Sequence, residues 1–175
     1  MSSVGGEHPD APSGHWSEVA DYVAWLVASG LSDAELDRAV EAALREAMAR
    51  VDCVECHNCC QEHQPQATDE ELVLMAQAMG VALDEFIRLY TIETPLANRL
   101  VARVGGTRPS EGVCCMLDHG SCIIYSGRPW GCRVYPYHLG SGVRDNVGEL
   151  KEAYRICPAV RIALAELRKR LPGSV

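Results

Sequence analysis

Residues 53–60 read Cys53-Val54-Glu55-Cys56-His57-Asn58-Cys59-Cys60. These four sulfurs lie in a stretch, 51–67, that also holds His57, His63 and Pro65 and has no apolar periodicity. A two-residue gap folds the chain back so that both sulfurs of a Cys-x-x-Cys face one ion. Backbone N–H groups in the turn then donate to the sulfurs, as in zinc knuckles and iron–sulfur loops. Buried cysteines acting as small hydrophobes would instead sit on apolar stripes. The region is therefore expected to fold around metal.

Working outward, the other cysteines are Cys114, Cys115, Cys122, Cys132 and Cys157, making nine in 175 residues. The N-terminus lacks the basic start and apolar stretch of a secretory signal. No window approaches the roughly 18 apolar residues of a membrane span. A cytoplasmic protein without membrane attachment is expected, and there a dense thiol set points to metal over disulfides. The odd count argues the same way. The formal charge is −8 and the pI about 5.2. That balance argues against bulk electrostatic nucleic-acid binding, though not against a local basic patch. The partners expected are metal ions and a protein, without nucleic acid. Charge is uneven: residues 1–100 hold 18 acids and 5 bases, and residues 101–175 hold 6 and 11. Five of the nine cysteines lie in the basic part, where cationic side chains stabilise thiolates.

The fold class expected is mainly α: a small, irregular, metal-stabilised domain with helices flanking cysteine-rich loops and one short β-hairpin. Residues 1–14 form a flexible tail and 15–50 a helical hairpin. Residues 51–175 form the cysteine-cluster domain, in one compact unit with 15–50. Trp16, Val19, Val23 and Leu26 recur at helical spacing, as do Leu36, Val40, Leu44 and Met48 after a capping box at Ser32 and Glu35. A second capping box, Thr68 with Glu71, opens a helix that Gly80 stops. Leu83, Phe86, Ile87 and Tyr90 predict a short helix. The punctuation of 94–112 marks loop. Residues 113–117 and 121–125 read as strands about Asp118-His119-Gly120. Gly127 to Tyr137 is irregular, and Pro158 must kink or restart the helix over 149–170.

Neighbouring side chains in an extended stretch diverge, so the doublets Cys59-Cys60 and Cys114-Cys115 do not easily serve one tetrahedral ion. One doublet bridges or serves two centres, or one member is spare. Eight thiols are enough for two sites of four, and sequence alone does not choose the partition. Zinc and iron–sulfur centres both accept four thiolates. Cys157-Pro158, a remote Cys-Pro after a C-x₂-C-x₂-C run, leans toward iron. His57 and His63 are alternative ligands, in a loop where thiols are already in surplus.

The residues of 53–60, the segment Cys114-Cys115-Met116-Leu117-Asp118, and the segment Cys122-Ile123-Ile124-Tyr125-Ser126-Gly127-Arg128-Pro129-Trp130-Gly131-Cys132-Arg133-Val134-Tyr135-Pro136 together resemble the CxxCxxCC (YkgJ-like) cysteine-cluster family. That resemblance implies a zinc- or iron-chelating domain over residues 50–160. It implies metal ligands at Cys53, Cys56, Cys59, Cys60, Cys114, Cys122, Cys132 and Cys157. Cys115 falls on the family's variable position, and Met116 replaces an aromatic residue. Arg128 and Arg133 match the family's two arginines. They either donate to thiolates or an anionic cofactor, with Tyr125 beside them, or form salt bridges and loop-locking bonds.

The function expected is binding of a metal or iron–sulfur cluster (4Fe–4S, or zinc), with the fold depending on it. The alternatives are a cluster- or zinc-dependent enzyme, or metal storage and delivery. The family is similar to the cysteine-cluster part of flagellin lysine-N-methylase, but no methyl-donor site is identifiable here. There is also no G-x-S-x-G, Gly-rich phosphate loop or H-E-x-x-H. Whether the protein is an enzyme stays open.

Overall fold

The structure, a computed structural model, describes residues 16–94, 99–106 and 112–171. The expected flexible tail 1–14, with His8, lies outside the described residues, as does His15. The elements run α1 (Trp16–Val27), α2 (Asp33–Met48), α3 (Cys53–Cys56), α4 (Asn58–Glu62), β1 (Gln66–Ala67), α5 (Asp69–Met79) and α6 (Leu83–Tyr90). Then come β2 (Thr91–Glu93), β3 (Arg99–Val101), β4 (Arg103–Gly105), β5 (Gly112–Cys114), β6 (Leu117–Asp118) and β7 (Ser121–Cys122). The chain ends with α7 (Trp130–Val134), α8 (Val147–Ile156) and α9 (Pro158–Arg170). The molecule is mainly helical with short strands, the fold class expected. No helix among the described residues is long and apolar enough to cross a membrane.

The chain divides into two compact units, residues 1–56 with 135–175, and residues 57–134. In the first, α2 lies along α9 and α1 along α8. The periodic residues Val19, Val23, Leu26, Leu36, Val40 and Leu44 are buried in one core with Leu150, Tyr154, Val160 and Leu164. Asp37 accepts from the N–H groups of Gly142 (2.9 Å) and Val143 (3.0 Å), which fixes the loop before α8 onto α2. Arg144 donates to the carbonyls of Val27 and Leu31, both at 2.6 Å, and to Asp33 at 2.7 Å. It thus satisfies the last carbonyl of α1, a carbonyl of the turn between α1 and α2, and an acid in the first turn of α2. Pro158 acts as expected: it takes the first position of α9, where no N–H is needed, and Cys157 between α8 and α9 is extended.

The second unit is built from shorter pieces. Strands β1, β3 and β2 form an antiparallel sheet in that order, β4 pairs with β5, and β6 pairs with β7. The expected hairpin is present but short, with Leu117 opposite Cys122 and Asp118 opposite Ser121. Its two-residue turn places His119 and Gly120 at φ 45° and 78°, the doubly positive geometry that suits strand twist. Segment 94–112, expected to be loop, contributes β3 and β4. Segment 51–67 contains two short helices, α3 and α4. The core gathers Leu72, Met75, Phe86, Val101, Cys114, Met116 and Ile124.

Candidate metal centre

All nine cysteines are free thiols. In the unit of residues 57–134, four elements present six of them. Helix α4 carries Cys59 and Cys60, β5 ends at Cys114 with Cys115 following, β7 ends at Cys122, and α7 carries Cys132. Each position has a local cause. His57 is left-handed at φ 38°, so the chain turns immediately before α4. The Cys60 N–H returns to the His57 carbonyl at 3.0 Å. The β6–β7 hairpin sets Cys122 opposite Leu117. After Ile124 a 3-10 turn, Tyr125–Gly127, packs on α5, and a Cβ on Gly127 would sit 2.7 Å from the Ala78 Cβ. The Pro129 carbonyl then accepts from the N–H groups of Cys132 (3.0 Å) and Arg133 (3.2 Å) and starts α7.

The thiols interact with one another. The Cys60 thiol donates to the Cys59 sulfur and lowers the Cys59 pKa, against the effect of burial. Cys60, as the donor and itself buried among Cys59, Cys114 and Cys122, is pushed far up. Burial also raises Cys122, partly offset by the Ile124 N–H. Burial and the charges of Cys59, Cys114 and Cys122 push Cys132 up to about 12. Cys115 is raised by its hydrogen bond to Cys114 and by burial. Cys114 acts on Cys59, Cys59 and Cys114 act on Cys122, and all three act on Cys132, so every pair among the four is linked by charge. Cys115 instead points to the Tyr90 carbonyl at 3.7 Å. Four thiolates so placed repel one another, and a bound cation removes that repulsion. Among the described residues no three Cys, His, Asp or Glu side chains already stand in a ligating arrangement.

The remaining three cysteines belong to the other unit. Cys53 and Cys56 lie three apart on α3, on one helical face. Cys157 is buried between α8 and α9, and Cys56 packs against the same core. The eight cysteines of the family pattern thus divide as Cys59, Cys60, Cys114, Cys122 and Cys132 in one unit and Cys53, Cys56 and Cys157 in the other.

Arg128 donates from Nε to the Tyr125 carbonyl at 2.9 Å, and its guanidinium lies 3.5 Å over the Tyr125 ring. From there its charge lowers the pKa of both Cys122 and Cys132. Arg133 lies 3.9 Å from Glu71. His57 keeps a buried Nδ1 without a hydrogen-bond partner. His119 is 95% exposed on the hairpin turn. Glu71 was legible in sequence only as half of a capping box. Its second carboxylate oxygen also accepts the Trp130 N–H, which ties the start of α5 to the start of α7 beside Cys132.

The family model CxxCxxCC, described as "Putative zinc- or iron-chelating domain", matches residues 52–158. No curated protein and no solved structure gives a significant match.

Proposed function

The chain belongs to the CxxCxxCC family of zinc- or iron-chelating domains, and on that premise we propose that Cys59, Cys114, Cys122 and Cys132 hold its metal. The observation that supports this reading is their proximity: Cys114 raises Cys59, Cys59 and Cys114 raise Cys122, and Cys59, Cys114 and Cys122 together raise Cys132. The donor set fits the group: four thiolates satisfy one zinc ion or one iron–sulfur cluster. When bound, the metal supplies the positive charge that lets all four sulfurs ionise together. The residues do the rest. Cys60 gives up its hydrogen bond to Cys59 as loading displaces thiol protons. Arg128 stays over Tyr125 and offsets charge on Cys122 and Cys132. Cys115, held toward Tyr90, stays outside. A chain this rich in thiols suits a reducing compartment, and the cytoplasm is the location this reading proposes.

Anaerobic purification, followed by elemental analysis, acid-labile sulfide assay and an absorption spectrum, tests the reading. Iron with sulfide and visible charge-transfer bands assigns a cluster. Zinc in a colourless protein assigns zinc. A chain that retains neither metal and takes up neither on reconstitution overturns the proposal.

A further inference from the structure

Among the described residues Arg161 is the charged side chain that the fold buries, with 8% of its surface exposed. It lies in the first half of α9, where every residue from Pro158 to Leu164 is buried. A guanidinium does not deprotonate in proteins, and a buried cation without an anionic partner is strongly destabilising. Yet the Arg161 Nε–H is buried with no hydrogen-bond partner, and no described carboxylate pairs with the group. Its one side-chain bond runs from Nη1 to the Arg155 carbonyl, at 3.2 Å, in the last turn of α8. That bond draws the guanidinium back to the α8–α9 junction, where Cys157 sits. Arg161 follows Cys157 by one helical turn, and its N–H donates to the Cys157 carbonyl at 3.3 Å. Cys157 is buried in the core of this unit, and Cys56 packs against that core.

We propose that Arg161 is a positioning residue for a metal-bound thiolate at Cys157, its free Nε–H donating to the anionic sulfur. A coordinated thiolate keeps negative charge, and a guanidinium N–H is the donor that matches it in a dry setting. The junction then contains both halves of an ion pair, whereas the bond to Arg155 alone serves only the end of α8. This rests on the reading of the chain as a metal chelator and extends it to the thiols of Cys53, Cys56 and Cys157.

The test titrates Co²⁺ into the metal-free full chain and follows thiolate-to-cobalt absorption. The proteins are the parent, Arg161→Met, Arg161→Lys, Cys157→Ser and the Arg161→Met/Cys157→Ser pair. Arg161→Met should weaken binding about 10- to 100-fold. Arg161→Lys should recover only part, because an ammonium lacks the planar fork. In the Cys157→Ser background Arg161→Met should change nothing further. Parent-like Co²⁺ affinity in Arg161→Met, or a loss that persists undiminished in Cys157→Ser, overturns the role of Arg161 and leaves chelation standing. No thiolate-to-cobalt band in the parent overturns both. Thermal unfolding of the metal-free proteins checks folding. Replacing an unpaired buried charge by an apolar chain should leave stability equal or higher. If Arg161→Met does not fold, Arg161→Lys carries the test, and parent-like affinity in it overturns the proposal.

Discussion

Cys114 and Cys115 are neighbours with different surroundings. Cys114 is 8% exposed and shares its surroundings with Cys59, Cys122 and Cys132, whereas Cys115 points to the Tyr90 carbonyl. Cys114→Ser should therefore abolish retention of the metal held in this unit, and Cys115→Ser should keep it. Metal content per chain after identical purification checks the pair, and equal content in the two variants refutes the distinction. The importance of the cysteines was legible because their spacing and the Arg128-Pro129 motif lie in sequence. Their division between the two units was not. Cys56 and Cys59 are three apart in sequence, yet the boundary between the units falls between them at His57, whose positive φ has no compositional signal. Arg161 was equally illegible. One arginine in a helix ordinarily marks a solvent face, and only the packed structure shows it enclosed.

The long helices were legible and the small elements were not, and length is the physical reason. Helix α2 buries Leu36, Val40 and Leu44 along one stripe, a pattern that needs several turns to show itself. Two-residue strands such as β1 and one-turn helices such as α3 complete no period, so only tertiary pairing defines them. Two element-level contacts give predictions. Gly127 lets the 3-10 turn touch α5: an added Cβ would lie 2.7 Å from the Ala78 Cβ and 3.0 Å from the Leu74 carbonyl oxygen. Gly127→Ala should cost about 1–3 kcal/mol through overpacking, read as a lower denaturant midpoint; an unchanged midpoint refutes it. Asp37 holds the loop before α8, and the Val143 and Gly142 N–H groups keep its carboxyl below the ordinary value, against a small burial effect. A carboxyl lowered in the folded state stabilises above its unfolded pKa of about 3.9 and stops doing so as pH falls through its folded pKa. At neutral pH Asp37→Ala should cost about 1 kcal/mol, a figure kept small for a part-exposed group. The gap to the parent should narrow on acidification below the ordinary carboxylate range, as urea unfolding at several pH values would show. A gap that is constant or widens there contradicts the assignment.

At the scale of the whole chain, the two units have different means of staying folded. Residues 1–56 with 135–175 bury an apolar core shared by four long helices, including Leu26, Leu36, Leu44, Leu150, Tyr154 and Leu164. Hydrophobic burial of that kind is independent of metal. Residues 57–134 bury a smaller core, in which Cys114 is a member and Cys60, Cys115 and Cys122 line the edge. Their strands are two or three residues long, too short to hold a sheet without packing support. With metal held by these thiols, as proposed, such a unit would draw folding free energy from it. Removing the metal should therefore act unequally. After chelation, hydrogen exchange should accelerate across α5, α6, β3 and β5 while α2 keeps its protection, because local opening follows the stability of each cooperative unit. Far-UV circular dichroism should retain most of its helical signal, since the long helices pack through an apolar core. Equal loss of protection in α2 and α5 would show that both units depend on the metal to the same degree. Unchanged exchange in α5 and β5 would show that the thiol-lined unit folds on its apolar contacts alone.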